Sequence, residues 1–326
     1  MRQGVNPEKY KSEQNIRKFH RIIIPVYIPD ESQSYYQESL EVFDNCLNSL
    51  FKTINFETTA ITVVNNNSIA KVRELINKYL NQGLIDKHVE YQENRGKVYA
   101  VLNEARASFE NYITLSDADV LFFSGWETGV FEVFQEYPKA GTVSPLPSLN
   151  LALYLTYSVF FDKYFFGKIG YGKKVSNEDC ELFLKGMGND SLLNRYNREF
   201  SYKEKHYFIK GKRPALLGAN HFVATYRKEC LEYNKEFPVH KFKKGYEQFY
   251  LDQPADRFGW YRLSTLGTYA YHIGNYMDEI VKEIDFDPSA IVKKELIEKL
   301  KKPRKTIIPY VLRVVFFKVL KKIKRL

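Results

Sequence analysis

The sequence predicts an α/β protein in which a mostly parallel, Rossmann-like sheet is flanked by helices. Short apolar, β-branched runs at residues 21–27 and 59–64, followed by a third short strand predicted at residues 87–91, alternate with segments of helical spacing. A fourth strand is predicted within residues 111–123, which contain the acids Asp117 and Asp119. Because each run ends in polar residues, we expect a ligand site at the carboxyl edge of the sheet.

Helical spacing separates these strands and continues after them. Helices are predicted at residues 36–51, 70–80 and 98–109. Beyond residue 123 the pattern predicts a helix and a Pro-rich strand end within residues 126–150 and an irregular segment at residues 151–210. It then predicts a turn with a returning strand at residues 215–226, a helix at residues 246–256 and a last strand at residues 268–273. Long irregular segments are usually functional, so we expect part of the ligand recognition in the second of these segments, residues 151–210.

Positive charge is concentrated at the C-terminal end of the chain. The net charge is +10, but residues 301–326 hold ten Lys or Arg and no Asp or Glu, which leaves 39 basic residues against 39 acidic ones elsewhere. The body of the protein is therefore neutral. Nucleic-acid binding requires a basic surface on the fold, so we expect no nucleic-acid partner.

Other sequence features exclude several classes of protein. Cys46, Cys180 and Cys230 are widely spaced and form no disulfide or zinc motif. Residues 1–20 are polar and predict no secretory signal, and no apolar run of about 18 residues predicts a spanning helix. Glycine motifs for a dinucleotide or a P-loop nucleotide are absent from the sequence. We expect a cytoplasmic protein.

Residues 311–326 have the pattern of an amphipathic helix. A helical wheel places six basic residues on one half and seven apolar residues on the other: Arg313, Lys318, Lys321, Lys322, Lys324 and Arg325 against Leu312, Val315, Phe316, Val319, Leu320, Ile323 and Leu326. This pattern favours peripheral attachment to an anionic membrane through residues 301–326, on the inner face of the cell membrane. The alternative is a helix that docks its apolar face on the protein body and leaves the charged face in solvent.

Asp117 and Asp119 are candidate ligands for a divalent cation. They follow a strand that is apolar except for Thr114, and a desolvated carboxylate must be paired or bound to metal. Two carboxylates suit Mg²⁺ or Mn²⁺ on a diphosphate.

The order of these motifs resembles that of the GT-A glycosyltransferases, specifically glycosyltransferase family 2. The resemblance spans residues 20–275 and rests on residues 24–27, residues 64–68, the segment from Asn94 to Gly96 with Ala100 and Asn103, and the acid pair. It implies a GT-A fold and metal-dependent, inverting transfer from a nucleotide-sugar, with UDP as the expected nucleotide and Mn²⁺ or Mg²⁺ as the cofactor.

The resemblance also implies roles for individual residues. Nucleotide-sugar contacts would come from Pro25, Tyr27, Asn66, Arg95, Lys97 and Asp117, and metal ligation from Asp119 and His272. The family's second strand usually ends in an acid where this chain has Asn65 or Asn66. Residues 65–68 by themselves fit a turn and helix cap equally well.

Inverting transfer needs a carboxylate base on the acceptor hydroxyl. Counted back from Gly259, the adjacent Glu and Asp of the family fall on Glu247 and Gln248, so one of the two is an amide. Asp252, one helical turn after Gln248, is expected to supply the base on the same face, with Glu247 as the alternative. The acids of residues 177–183 precede the Gly-containing strand, and we interpret them as the first turn of a helix.

These predictions divide the chain into four segments and define two functional hypotheses. Residues 1–20 are an N-terminal extension, residues 21–123 form the nucleotide-sugar-binding half of one domain, and residues 124–285 form its acceptor-binding half. Asn220, His221 and Trp260 are predicted on the acceptor side, and residues 286–326 form the tail. The first hypothesis is a hexosyl- or N-acetylhexosaminyltransferase acting on a lipid-linked glycan or envelope polysaccharide precursor. The alternative, motivated by Gln248, is a noncatalytic nucleotide- or polysaccharide-binding module on the same fold.

Overall fold

The computed structural model describes most of the chain. The described residues are 4–5, 18–190, 192–193, 202–277, 279–280, 286–301 and 308–324. Most of the predicted extension at residues 1–20 lies outside them, as do Arg325, Leu326 and the side chain of Lys324 in the predicted tail.

Twelve strands occur in the described residues, and ten of them form one sheet in the order β3-β2-β1-β4-β10-β6-β11-β9-β8-β7. Most of these strands point the same way, since β10, β9 and β7 run opposite to the other seven. Strands β5 and β12 form a separate antiparallel pair. The strands are β1 His20–Val26, β2 Thr59–Asn65, β3 Lys87–Glu90, β4 Tyr112–Ser116, β5 Val120–Phe122, β6 Ala140–Ser144, β7 Ile169–Gly172, β8 His206–Ile209, β9 Ala215–Leu217, β10 Val223–Arg227, β11 Tyr261–Ser264 and β12 Ala270–His272.

Ten α-helices occur in the same described residues, and the predicted α/β class is confirmed. They are α1 Ser39–Thr53, α2 Ala70–Asn81, α3 Lys97–Ala107, α4 Trp126–Glu136, α5 Tyr157–Lys163, α6 Asn177–Gly186, α7 Lys228–Leu231, α8 Gln253–Arg257, α9 Lys294–Glu298 and α10 Tyr310–Lys324. A single π-helical turn, Gln248–Asp252, leads into α8. The first three predicted strands and the first three predicted helices match β1 to β3 and α1 to α3 within three residues at each boundary. The fourth predicted strand, at residues 111–123, is divided into β4 and β5 by the segment that carries Asp117 and Asp119, and α6 begins at the acids of residues 177–183 as predicted.

Strand β1 is buried on both faces, as its continuous apolar run predicts. Ile22 and Ile24 belong to one core cluster, whereas Ile23 belongs to a second cluster with Val64 and Leu115. Successive side chains of a strand point to opposite faces, so β1 contributes to the cores on both sides of the sheet.

The strand order reverses at β1, and this reversal places the site. Strand β2 follows β1 in the chain and pairs on one side of it, whereas β4 pairs on the other side. Pairing with β4 ends at Ile23, two residues before Pro25, which has no N–H to donate. A crevice opens at the carboxyl ends of the strands where the order reverses, here beyond Val26, Asn65 and Ser116.

The C-terminal helix α10 docks on the protein through a face that carries both apolar and charged side chains. Phe317 and Leu320 are buried, and the Phe317 ring lies 5.1 Å from the Phe160 ring of α5. Arg313, predicted to face lipid, is also buried. Its guanidinium donates to the carbonyls of Asp256 and Arg257 at 2.6 and 2.9 Å and to the Ser158 hydroxyl. The prediction for Arg313 is therefore wrong, because the last carbonyls of α8 offer acceptors that a helical wheel does not show.

A second apolar stripe of α10 remains exposed. Val311, Val315, Val319 and Ile323 recur every four residues and are 50% to 70% exposed. The helix therefore docks on the body, as the alternative predicted, and also presents apolar side chains outward. Attachment to a membrane stays a prediction. No helix in the described ranges is long and apolar enough to cross a membrane. The division of the chain into four segments stays a prediction.

Candidate active site

A cleft of about 230 Å³ lies at the carboxyl edge of β1, β2 and β4. Of the residues predicted from the sequence, it is lined by Pro25, Tyr27, Asn66, Lys97, Asp117 and Asp119. Three tyrosines form one wall: the rings of Tyr27 and Tyr36 are 6.5 Å apart, and those of Tyr35 and Tyr36 are 4.9 Å apart, both edge to face. The wall offers flat apolar surface on which a planar ring can stack.

Asp117, Asp119 and His272 converge at one end of the cleft. One ligand atom from each lies within 4.8 Å of the others. His272 Nε2 lies 3.2 Å from Asp119 Oδ2, and His272 Nδ1 lies 3.0 Å from the Gly186 carbonyl. The ring therefore donates from Nδ1 to the carbonyl and turns Nε2 toward the acids, as second-shell contacts orient histidine ligands. Burial opposes protonation of His272, but Asp119 outweighs it and raises its pKa to about 9.

The donor set fits a hard divalent cation. The second oxygen of Asp119, Oδ1, is buried and has no hydrogen-bond partner among the described residues. A buried carboxylate oxygen without a partner costs free energy. Two carboxylates and one imidazole that face the same point would hold Mn²⁺ or Mg²⁺ there, leaving further positions for water or phosphate.

Lys97 links this cluster to the other end of the cleft. Its Nζ lies 2.5 Å from Asp117 Oδ1 and 3.3 Å from Glu247 Oε1. Burial opposes its charge, but the two carboxylates more than compensate and raise the pKa of Lys97. For Asp117 burial is the stronger effect: it raises the pKa of this carboxyl group, although the charge of Lys97 lowers it. Lys97 therefore provides a fixed cation in the cleft beside Asp117.

The asparagines at the end of β2 shape the loop that precedes α3. Asn66 Oδ1 accepts from the Arg95 N–H at 2.8 Å, and Asn66 Nδ2 donates to Asn94 Oδ1 at 2.9 Å. Asn65 Oδ1 accepts from the Ser68 N–H at 2.9 Å, which is the turn that residues 65–68 predicted as an alternative. Asn66 thus both lines the cleft and holds the backbone next to Lys97.

Asp252, the preferred base in the sequence prediction, lies behind the cleft surface. It is 2% exposed, and Arg262 donates to its Oδ1 at 2.7 Å. Tyr154 and His221 contact its Oδ2, each at 3.2 Å. Burial alone would raise the pKa of Asp252, but Arg262 and His221 hold it below its ordinary value.

The π-helical turn explains this position. The turn is closed by a bond from the Gln253 N–H to the Gln248 carbonyl, five residues apart. An α-helical bond spans four residues, so the extra residue changes the direction of Asp252 relative to the helix that the spacing predicted. Glu247, which precedes the turn, is 42% exposed and reaches the cleft beside Lys97.

Three other predicted residues are not brought to the cleft surface. Arg95 pairs with Glu93 at 3.1 Å and lies over the Tyr99 ring. Asn220 is buried, and its side chain donates to Ser148 Oγ at 2.9 Å. Trp260 is buried in the second core cluster, because it follows the end of α8 and packs its side chain under β6. The acceptor-side roles of Asn220 and Trp260 stay predictions.

Sequence reasoning missed several residues of the site. Tyr35, Tyr36, Phe242 and Asn275 line the cleft, and Arg262 and Tyr154 hold Asp252. Of these residues, only Tyr35 and Tyr36 could have been found from the local sequence, because two adjacent tyrosines near the end of a strand favour a surface on which a ring can stack. Arg262 had no such signal, since its partner is set by the packing of β11.

Comparison with known proteins gives one family match. Residues 34–178 match the family model described as Glycosyl transferase family 2, so the resemblance inferred from the motifs is confirmed over that segment. No curated protein matches the chain in sequence.

Several solved structures are similar at low identity. The mannosyltransferase PcManGT from Pyrobaculum calidifontis in complex with GDP-Man and Mn²⁺ is 13% identical, with a TM-score of 0.43, over 76% of this chain and 54% of that one. S. aureus TarS 1–349 is 13% identical, with a TM-score of 0.44, over 78% and 60%. Its complex with UDP-GlcNAc is 14% identical, with a TM-score of 0.43, over 82% and 62%. This chain thus spans less than two thirds of each of them, and likeness of this degree does not identify its donor or acceptor.

Proposed function

We propose that this protein is a metal-dependent glycosyltransferase that moves a sugar from a nucleotide-sugar to a hydroxyl with inversion at the anomeric carbon. The observation that carries the proposal is the cluster of Asp117, Asp119 and His272, with an unpaired buried oxygen on Asp119, at the end of an aromatic cleft. A divalent cation held there would neutralise charge on the departing diphosphate.

Each part of the cleft supports one requirement of the donor. Tyr27, Tyr35 and Tyr36 give a stacking surface for a base, and Lys97 gives a fixed cation for phosphate. We propose a UDP-sugar of a hexose or N-acetylhexosamine as donor, and a lipid-linked glycan or envelope polysaccharide precursor as acceptor. Of the predicted base residues, Glu247 contacts Lys97, which lines the cleft, whereas Asp252 contacts His221.

Release of nucleotide from UDP-sugars and GDP-mannose with Mn²⁺ or Mg²⁺ tests the proposal. We expect turnover of at least one donor and a loss of about 100-fold or more in Asp119→Asn, because the metal contributes several kcal/mol to the transition state. Asp190→Asn changes an exposed aspartate and is the matched control. Nucleotide binding without turnover of any donor would favour the noncatalytic binding module instead.

We also propose that α10 attaches the protein to an anionic membrane surface. The stripe of Val311, Val315, Val319 and Ile323 is exposed, and Lys318 and Lys322 are exposed on the same helix. The exposed Phe165 extends this apolar surface, because its ring lies 5.4 Å from the Phe316 ring of α10. Apolar side chains bordered by lysines match the interface of a bilayer with anionic headgroups.

Flotation with phosphatidylserine-containing vesicles tests the attachment. The double substitution of Val315 and Val319 by Asp should abolish flotation without lowering the melting temperature, because both side chains are exposed. Val239→Asp changes an exposed valine outside α10 and should float as the wild type does. The membrane proposal would be wrong if the wild type did not float, or if light scattering showed that the protein self-associates through this stripe instead.

A further inference from the structure

His221 lies beside the metal cluster without belonging to it. It occupies the turn between β9 and β10, directly before Phe222. The Phe222 carbonyl accepts from the Asp117 N–H at 2.8 Å, and the Phe222 ring lies 5.1 Å from the His272 ring. The His221 side chain is 39% exposed and lies 3.6 Å from Glu247, which contacts the cleft residue Lys97, so a bound group can reach it from solvent.

Asp252 orients this imidazole from the protein side. His221 Nδ1 lies 3.2 Å from Asp252 Oδ2, and Arg262 fixes the other carboxylate oxygen from a fully buried position. A ring that donates its Nδ1–H to a carboxylate keeps its lone pair on Nε2. Nε2 is the atom directed away from Asp252, toward Glu247 at 3.6 Å.

We propose that His221, held by Asp252, is the general base that removes the proton from the acceptor hydroxyl. The assignment rests on the proposed function. As the acceptor oxygen forms its bond to the anomeric carbon, its proton passes to His221 Nε2. The bond from that carbon to the diphosphate breaks, and its electron pair leaves with the diphosphate. The imidazolium is stabilised by Asp252 and later releases its proton to water.

The two predicted carboxylates are less suited to take the proton themselves. Asp252 is buried behind His221, and its oxygens are engaged by Arg262, Tyr154 and His221. Glu247 is 42% exposed, but its carboxylate oxygens lie 3.3 Å from Lys97 Nζ and 3.6 Å from His221 Nε2 and are engaged by these two groups. Asp252 is therefore a positioning residue, and Glu247 is left to orient the acceptor.

The groups that face His221 define its response to pH. They are Asp252 from the π-helical turn, Glu247 just before it, and Lys97 from α3. Burial and Lys97 lower the pKa of His221, but the bond to Asp252 and the negative charges outweigh them and raise it above its ordinary value. A base of this kind becomes active as the pH rises through neutrality.

Three substitutions test the assignment, with Mn²⁺-dependent hydrolysis of whichever UDP- or GDP-sugar the wild type cleaves as the readout. We expect His221→Gln to lower kcat by about 100- to 10,000-fold, the usual range for loss of a general base. Its melting temperature and its affinity for UDP with Mn²⁺ should match those of the wild type. Glu247→Gln should retain a larger part of kcat than His221→Gln, and His240→Gln, at an exposed histidine, should behave as the wild type.

The pH profile of kcat/KM separates a base from a structural residue. We expect the wild-type profile to fall on the acid side near or above pH 7, a fall that is lost in His221→Gln and shifted to lower pH in Asp252→Asn. Metal binding by His272 affects all variants alike, so the difference between profiles isolates His221. Undiminished kcat in His221→Gln, or a fall on the acid side that persists in His221→Gln and disappears in Glu247→Gln, would overturn the assignment of His221 without affecting the proposed function. Failure of the wild type to cleave any donor would overturn the proposed function as well.

Discussion

Gly96 holds the start of α3 in a backbone conformation that other residues adopt with strain. Its φ is +81°, and a Cβ added there would lie 2.1 Å from the Lys241 carbonyl oxygen. The adjacent Lys97 carries the cation of the cleft. A glycine is therefore required at position 96 for two reasons: its φ is positive, and the backbone of Lys241 approaches too closely to leave room for a Cβ atom.

We predict that Gly96→Ala lowers both stability and nucleotide affinity. The cost should exceed the roughly 1–2 kcal/mol of the left-handed conformation, because the Lys241 carbonyl must also move. Gly83→Ala is the matched control, since Gly83 has a φ of +73° and open space around it. Urea unfolding and UDP titration measure the two effects. Equal losses of stability in the two variants would contradict this account.

Asp252 should stabilise the fold in a pH-dependent manner. Removal of one partner from a buried ion pair costs about 3–5 kcal/mol, so we predict a loss of this order for Asp252→Asn at pH 7. The pKa of Asp252 is lowered in the folded state, so its contribution is complete above the unfolded value of about 3.9 and is lost as the pH falls through the folded value.

Urea unfolding of wild type and Asp252→Asn over a pH series checks this sign. The difference in unfolding free energy should be largest near about pH 5, where His221 is charged beside Asp252, and should shrink below about pH 4. A difference that keeps growing below about pH 4 would show that the carboxyl group is protonated more readily in the folded protein than in the unfolded one.

At the scale of elements, α10 combines two surfaces whose roles a sequence pattern cannot separate. Phe317 and Leu320 face α5, whereas Val315 and Val319 face outward. All four residues are apolar and lie within six positions of one helix. What distinguishes them is the presence of Phe160 and Tyr157 on one side.

Substitution of one residue from each surface should separate the two roles. Phe317→Ala removes a buried ring and should destabilise the protein by about 3–5 kcal/mol. Val319→Ala, on the exposed stripe, should change stability by no more than about 0.5 kcal/mol. Thermal and urea unfolding measure both values. A large cost for Val319→Ala would mean that the stripe packs against the protein.

At the scale of the whole molecule, the site is assembled from distant segments. Asp117 follows β4, Lys97 begins α3, His221 precedes β10 and His272 ends β12. A ligand that contacts all of them stabilises the native packing of both halves of the chain. Binding should therefore be visible as increased global stability.

We predict that UDP with Mn²⁺ raises the unfolding free energy by about 2.7 kcal/mol at a ligand concentration of 100 times Kd. The part that depends on Mn²⁺ should disappear in Asp119→Asn, because that residue offers the unpaired oxygen. Denaturant unfolding with UDP alone, Mn²⁺ alone and both ligands measures it. Equal Mn²⁺-dependent stabilisation of wild type and variant would place the metal elsewhere.

Local patterns in the sequence were sufficient to predict the class of the fold and one end of the site. Buried parallel strands are continuous apolar runs, and the polar residues that follow them must meet at one edge of the sheet. For this reason β1 to β4 and the position of Asp117 and Asp119 at the edge of the sheet could be predicted. Lys97 and His272 were predicted only by resemblance to a family; the structure places Lys97 in the cleft and His272 beside the two acids.

The tertiary structure decided what each of these side chains faces. Asp252 is directed inward by a π-helical turn and a fully buried Arg262, Arg313 is drawn to the end of α8, and His221 is backed by a carboxylate thirty-one residues away. Burial and pairing depend on the segment that packs opposite, which periodicity along the chain does not specify. The sequence alone determined the sheet and the acids at its edge, whereas packing decided which groups can meet a substrate.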